Sequence, residues 1–106
     1  MLNYNNAEIA LQFMVDTDDD FARAKTLYDA LCEQKKSIAA LEYGKLTGSA
    51  AEKNQQALAS EVYQLHLRSI RDAQIEFEIL RSKRLTNMCI IDMWRSVNSN
   101  QRKGNI

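Results

Sequence analysis

The sequence contains no proline and only three glycines, Gly44, Gly48 and Gly104, among its 106 residues. With so few chain breakers, long uninterrupted helices are the default expectation. No run of about 18 apolar residues occurs, so no segment reads as a membrane-spanning helix. Cys32 and Cys89 lie far apart and form no CxxC unit, which argues against a zinc site or a disulfide framework. Both thiols are expected to be reduced and mostly buried. An excess of one charge is missing too. The 14 basic and 14 acidic residues balance, so no bulk electrostatic pull toward nucleic acid or a membrane is implied. The first twenty residues hold Glu8 and four aspartates but no basic residue, the wrong charge for a secretory or transit signal. The expected location is therefore cytoplasmic. No cofactor is expected.

The hydrophobic fraction of 45% is that of a folded protein, and its spacing is helical. Ala7, Ala10, Leu11 and Met14 predict a short first helix over residues 5–15. Asp16-Thr17-Asp18-Asp19-Asp20 interrupts the apolar pattern and suits a helix start, where carboxylates meet free N–H groups and the positive dipole end. A second helix is expected over 18–46, with Phe21, Ala24, Leu27 or Tyr28, Leu31, Ile38, Leu41 and Leu46 as its stripe. Gly48 then suits a C-terminal stop. Ser49-Ala50-Ala51-Glu52 matches a capping box, the clearest local signal in the chain. Together they place a helix–helix turn at 46–49.

A third helix is predicted over 50–97 without a break, followed by a polar, frayed tail at 98–106. One stripe reads Leu58, Val62, Leu65, Ser69, Ala73, Phe77, Leu80, Asn87, Ile91 and Trp94. A second holds Ile70, Ile75, Ile79, Met88, Ile90, Met93 and Val97. The combined face is wider than the seam a single partner helix needs. The fold class expected is thus all-α, one helical domain over 1–106: a long antiparallel helical hairpin with a short N-terminal helix.

Pairing across the turn sets position i opposite about 95 − i, which brings the aspartates near the stretch leading into Arg81, Lys83 and Arg84. Six basic residues (Arg81, Lys83, Arg84, Arg95, Arg102 and Lys103) face one acidic residue, Asp92, over 79–106. An acidic N-terminus and a basic C-terminal region therefore meet in the antiparallel pair. A lone hairpin leaves the outer flanks of a broad apolar face in water, so assembly into a dimer or larger helical bundle is expected. Ile70, Phe77, Leu80, Ile91 and Trp94 are the candidate interface residues. The competing expectation is a monomer in which the first helix completes a three-helix bundle.

Few constellations suggest chemistry. Asp16, Asp18 and Asp20 alternate as calcium-loop ligands do, but Phe21 stands where the loop needs glycine and Leu27 where it needs a carboxylate. His66, the only histidine, follows Tyr63 at i+3, so the Glu-x-x-His unit of di-iron bundles is missing. Small helical enzymes of the chorismate mutase type hold a dianion with basic side chains, and Arg68, Arg71, Arg81 and Arg84 are the residues to compare. Arg68 and Arg71 flank Asp72 in ordinary surface pairing, and no family motif accompanies them. No metal ligand or catalytic residue is assigned. Arg81, Lys83, Arg84, Arg95, Arg102 and Lys103, with Trp94 among them, form the candidate nucleic-acid surface, suited to phosphate contact and base stacking, while Trp94 itself occupies a core position in its stripe and the charges can equally neutralise the acidic N-terminus.

Ala22-Arg23-Ala24-Lys25 with Leu27-Tyr28, the stretch Leu46-Thr47-Gly48-Ser49-Ala50-Ala51-Glu52-Lys53, and the ending from Trp94-Arg95-Ser96-Val97 to Gln101-Arg102-Lys103-Gly104-Asn105 carry a resemblance. Residues 22–106 look like small phage and prophage helical proteins of the early-region accessory type. The resemblance implies a setting near phage recombination or replication and carries over no site residue. The function expected is a non-enzymatic, homo-oligomeric helical interaction protein in the bacterial cytoplasm, with Tyr43, Tyr63 and Gln64 as candidate contacts for a protein partner. The alternative is an accessory nucleic-acid-binding protein using the basic C-terminal third.

Overall fold

The computed structural model describes residues 3–104. Among them the chain is all-α: α1 spans Tyr4–Gly44, α2 Ala50–Ala59 and α3 Glu61–Gly104, with no strand. Asn3 caps α1, its Oδ1 accepting the Asn6 N–H at 2.9 Å. The helices expected at 5–15 and 18–46 are one continuous helix. The aspartates do not break it, because an aspartate inside a helix costs only about 0.6 kcal/mol and local bonds support it here. Gln12 Nε2 donates to Asp16 at 2.7 Å and the Thr17 hydroxyl donates to the Phe13 carbonyl at 2.7 Å.

The turn after α1 follows the sequence signals. Lys45 and Leu46 close the last turn with N–H bonds to the Glu42 and Tyr43 carbonyls. Gly48 has φ +121°, a conformation that L side chains rarely adopt. Ser49 caps α2, its hydroxyl oxygen accepting the Glu52 N–H at 3.2 Å.

The helix expected over 50–97 differs in two ways. It is divided at Ser60, whose extended backbone ends α2. The Ser60 hydroxyl donates to the Ala57 carbonyl at 2.8 Å and accepts the Tyr63 N–H at 3.2 Å, so one side chain caps both helices. It also continues to Gly104 rather than fraying at 98, with Arg102 and Lys103 in its last turn, where cations suit the dipole. Asn105 and Ile106 of the expected tail lie outside the described residues.

Packing divides the chain, expected as one domain, into two compact units, Met1–Ala22 with Glu78–Ile106 and Arg23–Phe77. In the first unit the start of α1 runs antiparallel to the end of α3. Tyr4 meets Trp94 edge to face with centroids 5.7 Å apart. The seam uses Ala7, Ala10, Met14, Thr17 and Phe21 against Leu80, Arg84, Asn87, Ile91 and Trp94, an alternation of three and four residues on both helices. In the second unit Tyr28 stacks on Phe77 with centroids 5.8 Å apart, and the His66 Nε2–H donates to the Leu31 carbonyl at 2.7 Å. Its seam on α3 is Tyr63, His66, Ile70, Ala73 and Phe77.

Two expectations change accordingly. Leu58, Val62 and Leu65 are exposed, as is Ser69. Tyr63 and His66 take the seam instead, because the three-and-four spacing runs through them and His66 finds a backbone partner. The pairing register also shifts. Asp18, expected opposite Phe77, meets Arg84, about two helical turns further along α3.

Replacing Gly48 by alanine should cost about 1–2 kcal/mol, since the strained φ remains even if Glu52 swings away from the new methyl. A urea unfolding midpoint unchanged from the parent, measured at equal protein concentration, would contradict this.

Candidate functional site

Neither seam buries much. The buried apolar side chains among the described residues are Ala7, Ala10, Ala57, Tyr63 and Ala73, and no large side chain is fully buried. Large apolar residues remain exposed instead. In the first unit these include Tyr4, Ile9, Leu11, Val15, Leu85, Met88 and Met93. In the second they include Leu27, Leu41, Val62, Leu65 and Ile75. Apolar exposure on this scale is the main feature of the surface.

Open grooves run along the flanks of both seams. In the first unit, one is lined by Tyr4, Ala7, Leu11, Ile91 and Trp94, with Glu8 and Arg95 at its rim. Another is lined by Met14, Phe21, Leu85 and Met88 with Arg81 and Arg84. In the second unit a groove of about 390 Å³ runs between Ala24, Leu27, Leu31 and Ala73, with Ser69, Asp72 and Glu76 as its polar edge. Each offers an apolar floor with few polar groups.

The main polar cluster lies inside the first unit. Arg84 Nη1 donates to the Met14 carbonyl at 2.9 Å and to the Thr17 hydroxyl oxygen at 2.8 Å. Its Nη2 donates to the Asp18 carboxylate at 2.7 Å, and the guanidinium lies 5.0 Å from the centre of the Phe21 ring. Only 15% of the Arg84 side chain is exposed, against 61% for Asp18. The planar fork of arginine reaches all three acceptors at once, which a lysine cannot do.

The six basic residues proposed for nucleic-acid contact therefore do not act alike. Arg84 turns inward to α1. Arg81 pairs with Glu78 at 3.0 Å and Arg95 with Asp92 at 3.7 Å, both exposed and along one helix. Lys83, Arg102 and Lys103 are exposed. Trp94 is half-buried against Tyr4, as its stripe position suggested.

The five interface candidates lie on seams within the chain. Leu80, Ile91 and Trp94 lie on the seam of the first unit, and Ile70 and Phe77 on that of the second; all five are half-buried within the chain. The antiparallel pairing uses the alternating three-and-four positions first, so the outward face falls to the neighbouring positions, Leu11, Val15, Leu85 and Met88 among them. The three contact candidates also make contacts within the chain. Tyr43 lies under the Lys53 ammonium at 4.4 Å, Tyr63 is buried, and the Gln64 amide donates to the Leu58 carbonyl at 2.7 Å.

Both cysteines, expected mostly buried, are exposed free thiols, because each falls off the seam. Among the described residues no three His, Cys, Asp or Glu side chains gather where they could hold a metal ion, and no helix is long and apolar enough to cross a membrane. Arg68 and Arg71 are exposed on the outer side of α3. The fold and surface define an all-α protein of paired helices with apolar flanks. Family models, curated proteins and solved structures were compared with the chain, and none matches.

Arg84→Met should destabilise the protein by about 1.5–3 kcal/mol, the loss of charge-assisted bonds at a largely shielded site. Arg84→Lys should recover less than half of it. Equal stability of Arg84→Lys and the parent in chemical denaturation would show that the fork geometry is irrelevant.

Proposed function

We propose that this protein is a non-enzymatic helical interaction protein that assembles with copies of itself and presents a helical face to a protein partner. The observation that carries the reading is the poverty of its own core: alanines and one tyrosine make up the buried apolar set, while large aliphatic side chains stay in water. Such side chains lose about 1.5–3 kcal/mol each of available stabilisation while exposed. Burial against another chain recovers it. The open grooves with apolar floors fit side chains from a helix better than a charged small molecule.

The resemblance of residues 22–106 to phage accessory proteins supports a setting in the cytoplasm of an infected or lysogenic bacterium. Accessory nucleic-acid binding has less support. Arg84 is engaged with α1, and the exposed carboxylates of Glu78 and Asp92 beside Arg81 and Arg95 reduce the net positive charge offered to phosphates.

Light scattering coupled to size-exclusion chromatography, run over a range of concentrations, should return a mass of twice the chain or a higher multiple. A monomer mass throughout the range would overturn self-assembly and leave the exposed face to a different protein.

A further inference from the structure

The geometry points to a specific self-recognition surface in the first unit: the flank carrying Leu11, Val15, Leu85 and Met88 binds the same flank of a second copy, α1 of each chain lying over α3 of the other. This rests on the self-assembling reading above and goes beyond it by assigning the face, the occupant and the direction.

On α1, Tyr4, Glu8, Leu11, Val15 and Asp18 follow one another by four, three, four and three residues, so they form one stripe beside the seam. On α3, Arg81, Leu85, Met88, Asp92 and Arg95 repeat the same spacing. One groove joins the two stripes, since Tyr4, Glu8 and Leu11 line it with Arg95. The next sets Arg81, Leu85 and Met88 of the α3 stripe beside Met14 and Phe21 of the α1 seam. Tyr4, Leu11, Val15, Leu85 and Met88 are each roughly half-exposed. At about 100 Å² apiece they put roughly 500 Å² of apolar surface on one flank, the upper end of what a monomer carries. With its polar rim that approaches the roughly 800 Å² per partner of a stable interface.

Charge selects the occupant and its direction. Within this unit the α1 stretch carries Glu8, Asp16, Asp18, Asp19 and Asp20 and no basic residue. The α3 stretch is predominantly basic. A two-fold axis running along the helices sets α1 over the partner's α3. Leu11 then meets Met88 of the other copy, Val15 meets Leu85, and the acidic ends, Glu8 and Asp18, come near the arginines at 95 and 81. Every helix gains an antiparallel neighbour of opposite charge, and the result is a four-helix arrangement. An axis perpendicular to the helices would instead set α1 on α1 and acid against acid. The opposite flank, with Ile9, Met93 and Val97, has its charges (Asp16, Asp20 and Lys83) toward one end only, so they fix no register.

The test uses the full chain in a Cys32→Ser, Cys89→Ser background. Leu11→Cys and Met88→Cys chains of distinguishable mass are made separately, mixed and mildly oxidised. The expected product is the mixed disulfide of one Leu11→Cys and one Met88→Cys chain, several-fold above either self-linked product. Predominant self-linking of Leu11→Cys, or no link between chains, overturns the arrangement. In parallel, Met88→Glu should halve the mass seen by light scattering while its helical circular dichroism is retained, and Met93→Glu should leave the mass unchanged. An oligomer that survives Met88→Glu removes this face and leaves self-assembly standing. A parent that is monomeric at every concentration removes both.

Discussion

A helix with one long neighbour can turn only one stripe of its surface away from water. In each unit of this protein the seam between α1 and α3 is such a stripe, and its limits explain the burial pattern. Most residues at alternating three-and-four spacing are half-covered, and those buried are the alanines at 7, 10 and 73 with Tyr63 and His66. Many further large aliphatic side chains, Leu11, Val15, Leu85 and Met88 among them, sit to either side and stay exposed. Two helices can align in this way, but the seam alone leaves much of the available apolar burial unused.

Within that limit, polar bonds supply what burial does not. Arg84 ties the backbone of α1 at Met14, its hydroxyl at Thr17 and its carboxylate at Asp18, so the first unit has one favoured register. A purely apolar seam of this spacing could slip by a heptad at modest cost, whereas a slip here would strand a largely shielded guanidinium. His66 has the corresponding role in the second unit, where its ring nitrogen meets the Leu31 carbonyl. These polar seam residues favour one alignment, as a single buried polar side chain does in coiled coils.

The helical class, the Gly48 turn and the Ser49 cap were legible because each follows from a local preference. The meeting of an acidic N-terminus with a basic C-terminal region was legible from charge alone. Other features were not. A serine that caps two helices at once, as Ser60 does, resembles any surface serine until its neighbours fold. The aspartates read as a helix start because their supports, Gln12 on the same helix and Arg84 on the other, are invisible to an apolar pattern. Hydropathy ranks Val62 and Leu65 above Tyr63 and His66, and so chose the wrong stripe at the start of α3. The same bias set Ile70, Phe77, Leu80, Ile91 and Trp94 on the outer interface, although the intramolecular seam claims them first. A broad apolar face was thus foreseen, and Ile75, Ile79, Met88, Met93 and Val97 of its second stripe are exposed, whereas Val15 and Leu85 belong to neither stripe.

If apolar flanks are completed by another copy, folding and association are one equilibrium, and stability depends on protein concentration. The most direct measurement is the thermal unfolding midpoint by circular dichroism over a hundredfold range of concentration. The expected result is a midpoint that rises steadily by several degrees across that range. A midpoint independent of concentration, in a chain that light scattering finds monomeric, would contradict it and mean that the two-helix seams suffice on their own.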